Sequence, residues 1–326
     1  MRIYDAHALR RVLSFRDLIE PVACCFVEYS AGLGDSAMAV LHPTERSDLH
    51  LKAACLPGHS MFVVKAAGWS AELADRGLPP GSGLVIALDV ATCQPLALFR
   101  DEHYISDVRT AAAGAVVAKL LAPATVNVAA ILGTGVQAFL QALALHEVRP
   151  FTRLLVWGRD AGRAHALVGR LRPELPEVQL DVASSVEEAT RASDVMVTAT
   201  ASREPLVRGE WLHPGQHVTA VGADDLGKAE LDATCLARAD RLIVDSRVLT
   251  RSYGDVARAL ARREISPEQV HAEIGEVLAG KVVGRRSSND LTIAKLIGLG
   301  VQDLAAVEVA LARLTGAGQT RAGDGP

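Results

Sequence analysis

The spacing of apolar positions changes several times along the chain, and each change marks a different kind of element. Through LRRVLSFRDLIEPVACCFVEYSAG, apolar side chains recur at three- and four-residue steps and stop at a glycine, which predicts helix over residues 1 to about 30. From about 36 to 100, short β-rich runs such as MFVVKAAG, GLVIALDV and PLALFR alternate with turns and predict a largely antiparallel sheet. A long helix follows over Ser106 to Leu121, closed by Ala122-Pro123. Residues 126 to 245 then alternate strand and helix: Val126–Leu132, a helix, Leu154–Trp157, a helix over Ala161–Leu171, VQLDV, a helix near 185–191, DVMVTAT, HVTAVGAD and RLIVDS. That alternation implies a parallel sheet with helices on both faces. The closing LTIAKLIGLGVQDLAAVEVALARL reads as one helix that returns to the first domain, and the tail GAGQTRAGDGP reads as disordered.

One junction in the alternating half carries chemistry. The β-branched run ending at Leu132 meets Gly133-Thr134-Gly135-Val136-Gln137-Ala138 before the next helix. A G-x-G-x-x-A turn between a strand and a helix is the setting in which glycines mean dinucleotide binding. Gly133 allows the tight turn, Gly135 lets the backbone approach a pyrophosphate, and Ala138 lets the helix sit close on the strand. The anion then meets N–H groups at a helix N-terminus. The competing reading is a structural strand–helix turn.

Composition narrows the class. The 326 residues are 49% apolar and 22% charged, enough for two domains with a buried core. A net charge of −4 without like-charge blocks gives no nucleic-acid footprint. The apolar stretch near 111–136 is interrupted by Lys119, Pro123 and Asn127, so no membrane span is expected, and MRIYDAHALRRVL lacks signal-peptide order. Cys24, Cys25, Cys55, Cys93 and Cys235 show no C-x-x-C spacing and read as reduced thiols of a cytoplasmic protein. The histidines show no metal-ligand spacing, so no metal is expected. Trp69, Trp157 and Trp211 read as packing residues.

Nearly the whole chain resembles the ornithine cyclodeaminase/mu-crystallin family, from FVVKAAG through RTAAAGAVVAKLLA, ILGTGVQA and VGADDLGKAELD to GRRSSNDLTIAKLIGLGVQDLAA. The resemblance implies an α/β fold in which a Rossmann-type parallel-sheet domain, residues 115–294, is inserted in a discontinuous α+β substrate and dimerisation domain, residues 1–114 and 295–326. It also implies a homodimer, a nicotinamide cofactor held at the cleft between the domains, and chemistry at the Cα–N bond of amino or imino acids. Residue by residue, Lys65 matches the lysine that binds the substrate carboxylate. Arg109, with Thr110, matches the arginine that contacts cofactor phosphates, and a guanidinium suits bidentate phosphate recognition. Asp224 matches the proton-relaying aspartate. Lys228 matches a cofactor-contacting lysine, and Thr200 a threonine beside the nicotinamide ribose. The glycine-turn residues Gly133, Thr134, Gly135, Val136 and Gln137 join Val221 and Gly222 on the cofactor side, and Ile297 and Gly298 join the substrate side. Taken singly, these residues have bland readings too: Lys65 a lysine snorkelling from a strand end, Arg109 a solvated helix arginine, Asp224 a turn or capping residue beside Asp225. His103 is a further candidate lining residue.

The departures from the family pattern bear on the reaction. Lys52 stands where cyclodeaminases carry a glutamate, Pro80 where a threonine lies by the nicotinamide (with Ser82 near), and Leu296 where a serine touches the cofactor. A lysine cannot replace a carboxylate base at neutral pH, which tells against ring-closing deamination. Lys52 is either a surface residue or a second cation suited to an added substrate carboxylate, as in a dicarboxylic imine. Arg46 is a candidate for a further carboxylate-binding arginine. Gly158-Arg159 follows the second parallel strand, where an acid would hold an adenosine ribose, so NADP is favoured over NAD, with Asp160 the residue that could still serve NAD. The leading expectation is an NAD(P)-dependent imino-acid reductase or amino-acid dehydrogenase acting on a small amino-acid or imine substrate. The alternatives are a cyclodeaminase-type lyase and a non-catalytic, crystallin-like ligand-binding protein.

Overall fold

The computed structural model describes residues 1–316, and the tail read as disordered lies outside the described residues from 317 onward. In chain order the first elements are β1 (Arg2–Asp5), α1 (Ala6–Val12), α2 (Ile19–Ser30), β2 (Asp35–Thr44), β3 (Ser47–Cys55), β4 (Met61–Ser70), α3 (Ala71–Asp75), β5 (Gly81–Asp89), β6 (Pro95–Arg100) and α4 (Tyr104–Leu121). Then come β7 (Val128–Leu132), α5 (Val136–Val148), β8 (Arg153–Trp157), α6 (Ala161–Leu171), β9 (Gln179–Val182), α7 (Val186–Ala192), β10 (Val195–Thr198), β11 (His217–Ala220), α8 (Ala233–Arg238), β12 (Arg241–Val244), α9 (Arg247–Thr250), α10 (Gly254–Ala261), β13 (Val270–Glu273), α11 (Ile274–Leu278), β14 (Thr292–Lys295) and α12 (Gly300–Leu314). They form two compact units, residues 1–112 with the chain from 299, and residues 113–298. The fold is α/β, a parallel-sheet unit inserted in a discontinuous α+β unit.

The first unit is built on a six-stranded sheet in the order β1-β6-β5-β4-β3-β2. Strands β2 to β6 pair antiparallel, while β1 lies parallel on β6. The N-terminal segment is therefore not one helix. Arg2–Asp5 is an edge strand, and Asp5 caps α1 by accepting from Ala8 N at 2.8 Å. Four residues are too few to show a two-residue alternation against the helical period that follows. Alternation along β3 and β4 buries Asp48, His50, Lys52 and Ala54 on one face with Met61, Val63, Lys65 and Ala67. Helix α12 covers that face. Its first residue, Gly300, comes so near β3 that a Cβ there would lie 2.8 Å from the Ala53 carbonyl oxygen. The opposite face stays apolar: Ala53, Val64, Ile86 and Leu98 stand in register across β3–β6, flanked by Leu51, Ala66 and Leu84.

The second unit is an eight-stranded, wholly parallel sheet in the order β13-β12-β14-β11-β10-β7-β8-β9. From β7 the chain runs outward through β8 and β9, then returns to place β10 on the other side of β7. Strand order reverses there, which is where ligands collect in such sheets. The segment LTIAK, read above as the start of a helix, is instead β14, wedged between β11 and β12. Its four residues are wholly buried with ladder partners on both sides, and β-branched Thr292 and Ile293 suit that place. The helix begins only at Gly300. A continuous apolar run does not distinguish a doubly covered strand from helix.

Lys295 ends β14 in the core of the second unit, its Nζ 2.9 Å from Asp255 Oδ2 with both side chains fully buried. Removing one partner leaves the other charge uncompensated. Lys295→Met is expected to lower stability by about 3–5 kcal/mol in thermal or denaturant unfolding. The double change Lys295→Met/Asp255→Asn should recover most of it, and an unaltered midpoint in the single variant would refute this account of the pair.

Candidate active site

Within the first unit, one carboxylate gathers the chemistry. Asp303, in the first turns of α12 and fully buried, accepts from Lys65 Nζ at 2.7 Å and from Arg109 Nε at 3.0 Å, both on Oδ1. Lys65 also donates to Ser106 Oγ at 2.8 Å, and Arg109 Nη1 donates to Gln302 Oε1 at 2.8 Å. Gln302 Oε1 accepts Leu299 N as well, which fixes the amide against the helix start. Three elements thus converge: β4 supplies Lys65, α4 supplies Ser106 and Arg109, and α12 supplies Gln302 and Asp303.

Burial sets the electrostatics of this cluster. Desolvation, reinforced by the nearby Arg109 charge and only partly offset by Asp303, pulls the Lys65 ammonium down to about 8. Burial works against the charge of Asp303, but Lys65, Arg109 and Lys52 outweigh it and hold its carboxyl below the usual range. Asp101, just past β6, accepts from Ile105 N at 2.9 Å, and burial pushes its carboxyl up. Asp303 Oδ2, Gln302 Nε2 and Asp101 Oδ1 are buried with no protein hydrogen-bond partner among the described residues. Two acceptors and a donor left unsatisfied around two cations fit a polar ligand or ordered water.

The structure brings Lys65 and Arg109 together and adds Lys52, which is buried and directly opposite Lys65 across β3 and β4. The surface reading of Lys52 therefore does not hold. Arg46 is not part of the group. It lies exposed at the β2–β3 turn, ion-paired with Asp75, and six residues along β3 from Lys52, about 20 Å. Ser82 is exposed on β5 three positions from Val85, the partner of Lys65, and so belongs to the opposite face. His103 bonds Asp107 at 2.9 Å and, with Glu102, takes a left-handed backbone that non-glycine residues rarely adopt. Thr110 is half-buried one residue beyond Arg109.

In the second unit the glycine turn sits at the strand-order reversal. Gly133 has φ of +133°, and a Cβ there would lie 2.4 Å from the Ala199 carbonyl oxygen at the end of β10. Gly135 caps α5 without a side chain, and a Cβ on it would meet nothing within 4 Å. The turn is closed behind and open in front, at the N-terminus of a 13-residue helix, a cradle whose shape would suit a pyrophosphate. Thr134 packs over Gly158, where a Cβ would come 2.4 Å from its methyl. Val136 is exposed on the first turn and Gln137 bonds Gln141. Past β8, Arg159 is exposed. Asp160 caps α6 by accepting from Arg163 N at 3.1 Å.

Sequence reading missed the residue that organises the other rim. Glu230, fully buried, accepts from Thr198 Oγ1 (2.7 Å), Thr200 N (2.7 Å), Thr200 Oγ1 (2.8 Å), Gly222 N (2.8 Å) and Ala223 N (3.2 Å). It binds the ends of β10 and β11 to each other, with burial raising its carboxyl against those bonds and against Lys295. Its own N–H and that of Leu231 donate to Asp255 Oδ1 at 2.7 and 3.1 Å. Thr200, Val221 and Gly222 therefore share one frame, and Asp224 follows it, its Oδ1 2.8 Å from Lys228 Nζ. Ile297 N and Gly298 N both donate to buried Asp245. An E within GKAELD was the available signal for Glu230, but a lone acid in a polar loop does not advertise five donors. Among the described residues no group of three or more His, Cys, Asp or Glu side chains is placed to hold a metal.

The chain is similar over nearly its whole length to known proteins. The model of the ornithine cyclodeaminase/mu-crystallin family matches residues 2–317. An uncharacterized cyclodeaminase of Sinorhizobium fredii is 39% identical over 83% of this chain and 82% of its own. The alanine dehydrogenase of Archaeoglobus fulgidus is 33% identical over 94% of this chain and 93% of its own. Among solved structures, Thermococcus litoralis Delta(1)-pyrroline-2-carboxylate reductase in complex with NADH and L-proline superposes with a TM-score of 0.92 over 98% of each chain, at 28% identity.

The two turn glycines should fail differently. Gly133→Ala meets backbone at a strained φ and is expected to lower the melting temperature. Gly135→Val enters open space and is expected to keep the melting temperature while weakening cofactor binding at least tenfold by fluorescence titration. Equal loss of stability in both would remove the cradle from the argument.

Proposed function

We propose, from the premise that the chain belongs to the ornithine cyclodeaminase/mu-crystallin family, that it is an NAD(P)-dependent oxidoreductase acting on the Cα–N bond of an imino or amino acid. The observation that carries the reading is the shared Asp303 carboxylate, which holds Lys65 and Arg109 as a paired anchor for an α-carboxylate. Arg109 acts with Lys65 on the substrate in this reading, rather than on cofactor phosphates, because its guanidinium is engaged beside Lys65. Among the described residues, two of the three Lys65 ammonium hydrogens are committed, leaving a third for the substrate. The nicotinamide, when bound, exchanges a hydride with Cα. Gly133, Gly135 and the α5 N-terminus would hold its pyrophosphate, and Thr200 and Gly222, fixed by the frame around Glu230, would serve its ribose side. Asp224, paired with Lys228, takes or returns the nitrogen's proton.

The relatives named as dehydrogenase and reductase support redox chemistry. A lyase would need a carboxylate base where Lys52 is buried. Because Asp160 is committed to capping α6 while Arg159 is exposed, we favour NADP over NAD. Five unpaired cysteines suit a cytoplasmic setting. No helix among the described residues is long and apolar enough to cross a membrane. The apolar outer sheet face, with Leu41, Val64 and Leu84 between 39% and 49% exposed, suits pairing with a second copy of the chain. An archaeal alanine dehydrogenase of similar fold is described as a dimer with bound NAD.

Reductive amination of 2-oxo acids with ammonia, and reduction of cyclic imines, followed by NAD(P)H absorbance, tests the activity. Turnover is expected with both cofactors, NADPH the better, and kcat/KM should fall as pH rises through about 8, where the Lys65 ammonium is lost. Lys65→Met should cost on the order of 100-fold in kcat/KM and remove that alkaline limb. Ammonia release from ornithine or lysine without net NAD(P)H change would replace the redox reading with the lyase, and silence in both assays would leave the ligand-binding alternative. For the oligomer, light scattering should give twice the chain mass, and Val64→Lys should halve it. An unchanged mass in that variant would exclude this face as the interface.

A further inference from the structure

Lys52 and Lys65 are cross-strand partners on the covered face of the first unit's sheet. Their backbones stand about 4.8 Å apart, the ordinary strand spacing. Only 4% and 2% of their surfaces are exposed. Like charges directly opposite in a sheet repel, and burial removes the water that would screen them. The Asp303 carboxylate offsets part of that repulsion.

Groups from several elements surround the pair. Asp303 of α12 feels the charge of Lys52 as well as of Lys65 and Arg109. Asp101 approaches Lys65 from the β6 side. Along β3, His50 comes next on the same face, with its Nε2 3.6 Å from Asp48 Oδ1. Gln302 adds a buried Nε2 donor with no protein hydrogen-bond partner among the described residues.

We propose that Lys52 and Lys65 form a two-cation seat, so that the substrate is a short-chain 2-imino dicarboxylate or the matching amino dicarboxylate. The α-carboxylate takes Lys65 and Arg109, and the distal carboxylate takes Lys52, one strand away. One or two methylenes between Cα and the distal carboxyl match that spacing. This substrate class rests on the oxidoreductase reading for its chemistry: hydride passes from NAD(P)H to Cα, a solvent proton goes to nitrogen, and amino dicarboxylate and NAD(P)+ result. The seat itself does not depend on that reading.

The test compares oxaloacetate with pyruvate, each with ammonia and NADPH, as a ratio of kcat/KM, alongside thermal stabilisation of the protein by succinate against acetate. Wild type is expected to favour oxaloacetate at least tenfold and to be stabilised by succinate more than by acetate. Lys52→Met should lower the oxaloacetate/pyruvate ratio about 10–100-fold, the loss of one charged hydrogen bond. Lys52→Arg should restore it, and Lys52→Gln provides a second neutral variant if the methionine protein does not fold. A wild-type preference for pyruvate, or a ratio unmoved in the neutral variants, overturns the seat. Succinate stabilisation lost in Lys52→Gln, with no turnover of either oxo acid by wild type, upholds the seat and rejects the oxidoreductase reading instead.

Discussion

Asp303 is the constraint on which the first unit's chemistry depends. A lysine and an arginine with almost no exposed surface are tolerable only around an anion, and a single carboxylate oxygen serves both. The cost of dehydrating three charges is offset only if the geometry is close and the remaining donors find partners. Ser106 and Gln302 supply those partners from α4 and α12. The same arrangement leaves polar atoms of Asp303, Gln302 and Asp101 without protein hydrogen bonds among the described residues. Such atoms are costly in an empty core and useful in a binding site, because a ligand that satisfies them gains the difference.

The second unit solves a parallel problem with a different acid. At the strand-order reversal of a parallel sheet, the loops after adjacent strands must hold their shape without a ladder to continue them. Glu230 takes that role by accepting from both loops, while its own backbone is held by Asp255, which in turn pairs with Lys295 on β14. The chain of contacts runs from a core strand to the loops after β10 and β11, where the proposed nucleotide site lies, so packing and site geometry are not separable there. A carboxylate with five donors is rigid, and rigidity is what positions Thr200 and Gly222 before any cofactor arrives.

Much of this was legible in the residue order. Strand–helix alternation over 126–245 gave the parallel sheet, because each crossover needs a helix and each buried strand needs an apolar run. The glycine turn was readable because a tight turn and close backbone approach exclude side chains at particular positions, and Gly133 has a positive φ with the Ala199 carbonyl close behind it. Lys65 and Arg109 stood out because they lie in specific motifs. The sequence was silent where meaning depends on a distant partner. Asp303, Glu230, Asp255 and Lys295 are ordinary charged residues in one dimension, and LTIAK is an apolar run that suits helix or strand equally.

What the sequence determined by itself is local: periodicity, turn stereochemistry, and the placement of small residues where backbones approach. What only the tertiary structure decided is which charges share a dielectric environment. Arg46 and Lys52 are both cations on or beside β3, six residues apart, yet one is exposed against Asp75 and the other is buried beside Lys65. That difference comes from α12, whose close approach at Gly300 covers one end of the strand, over two hundred residues away along the chain. Electrostatic energy depends on separation in space and on the loss of water, and neither quantity is written in the order of residues.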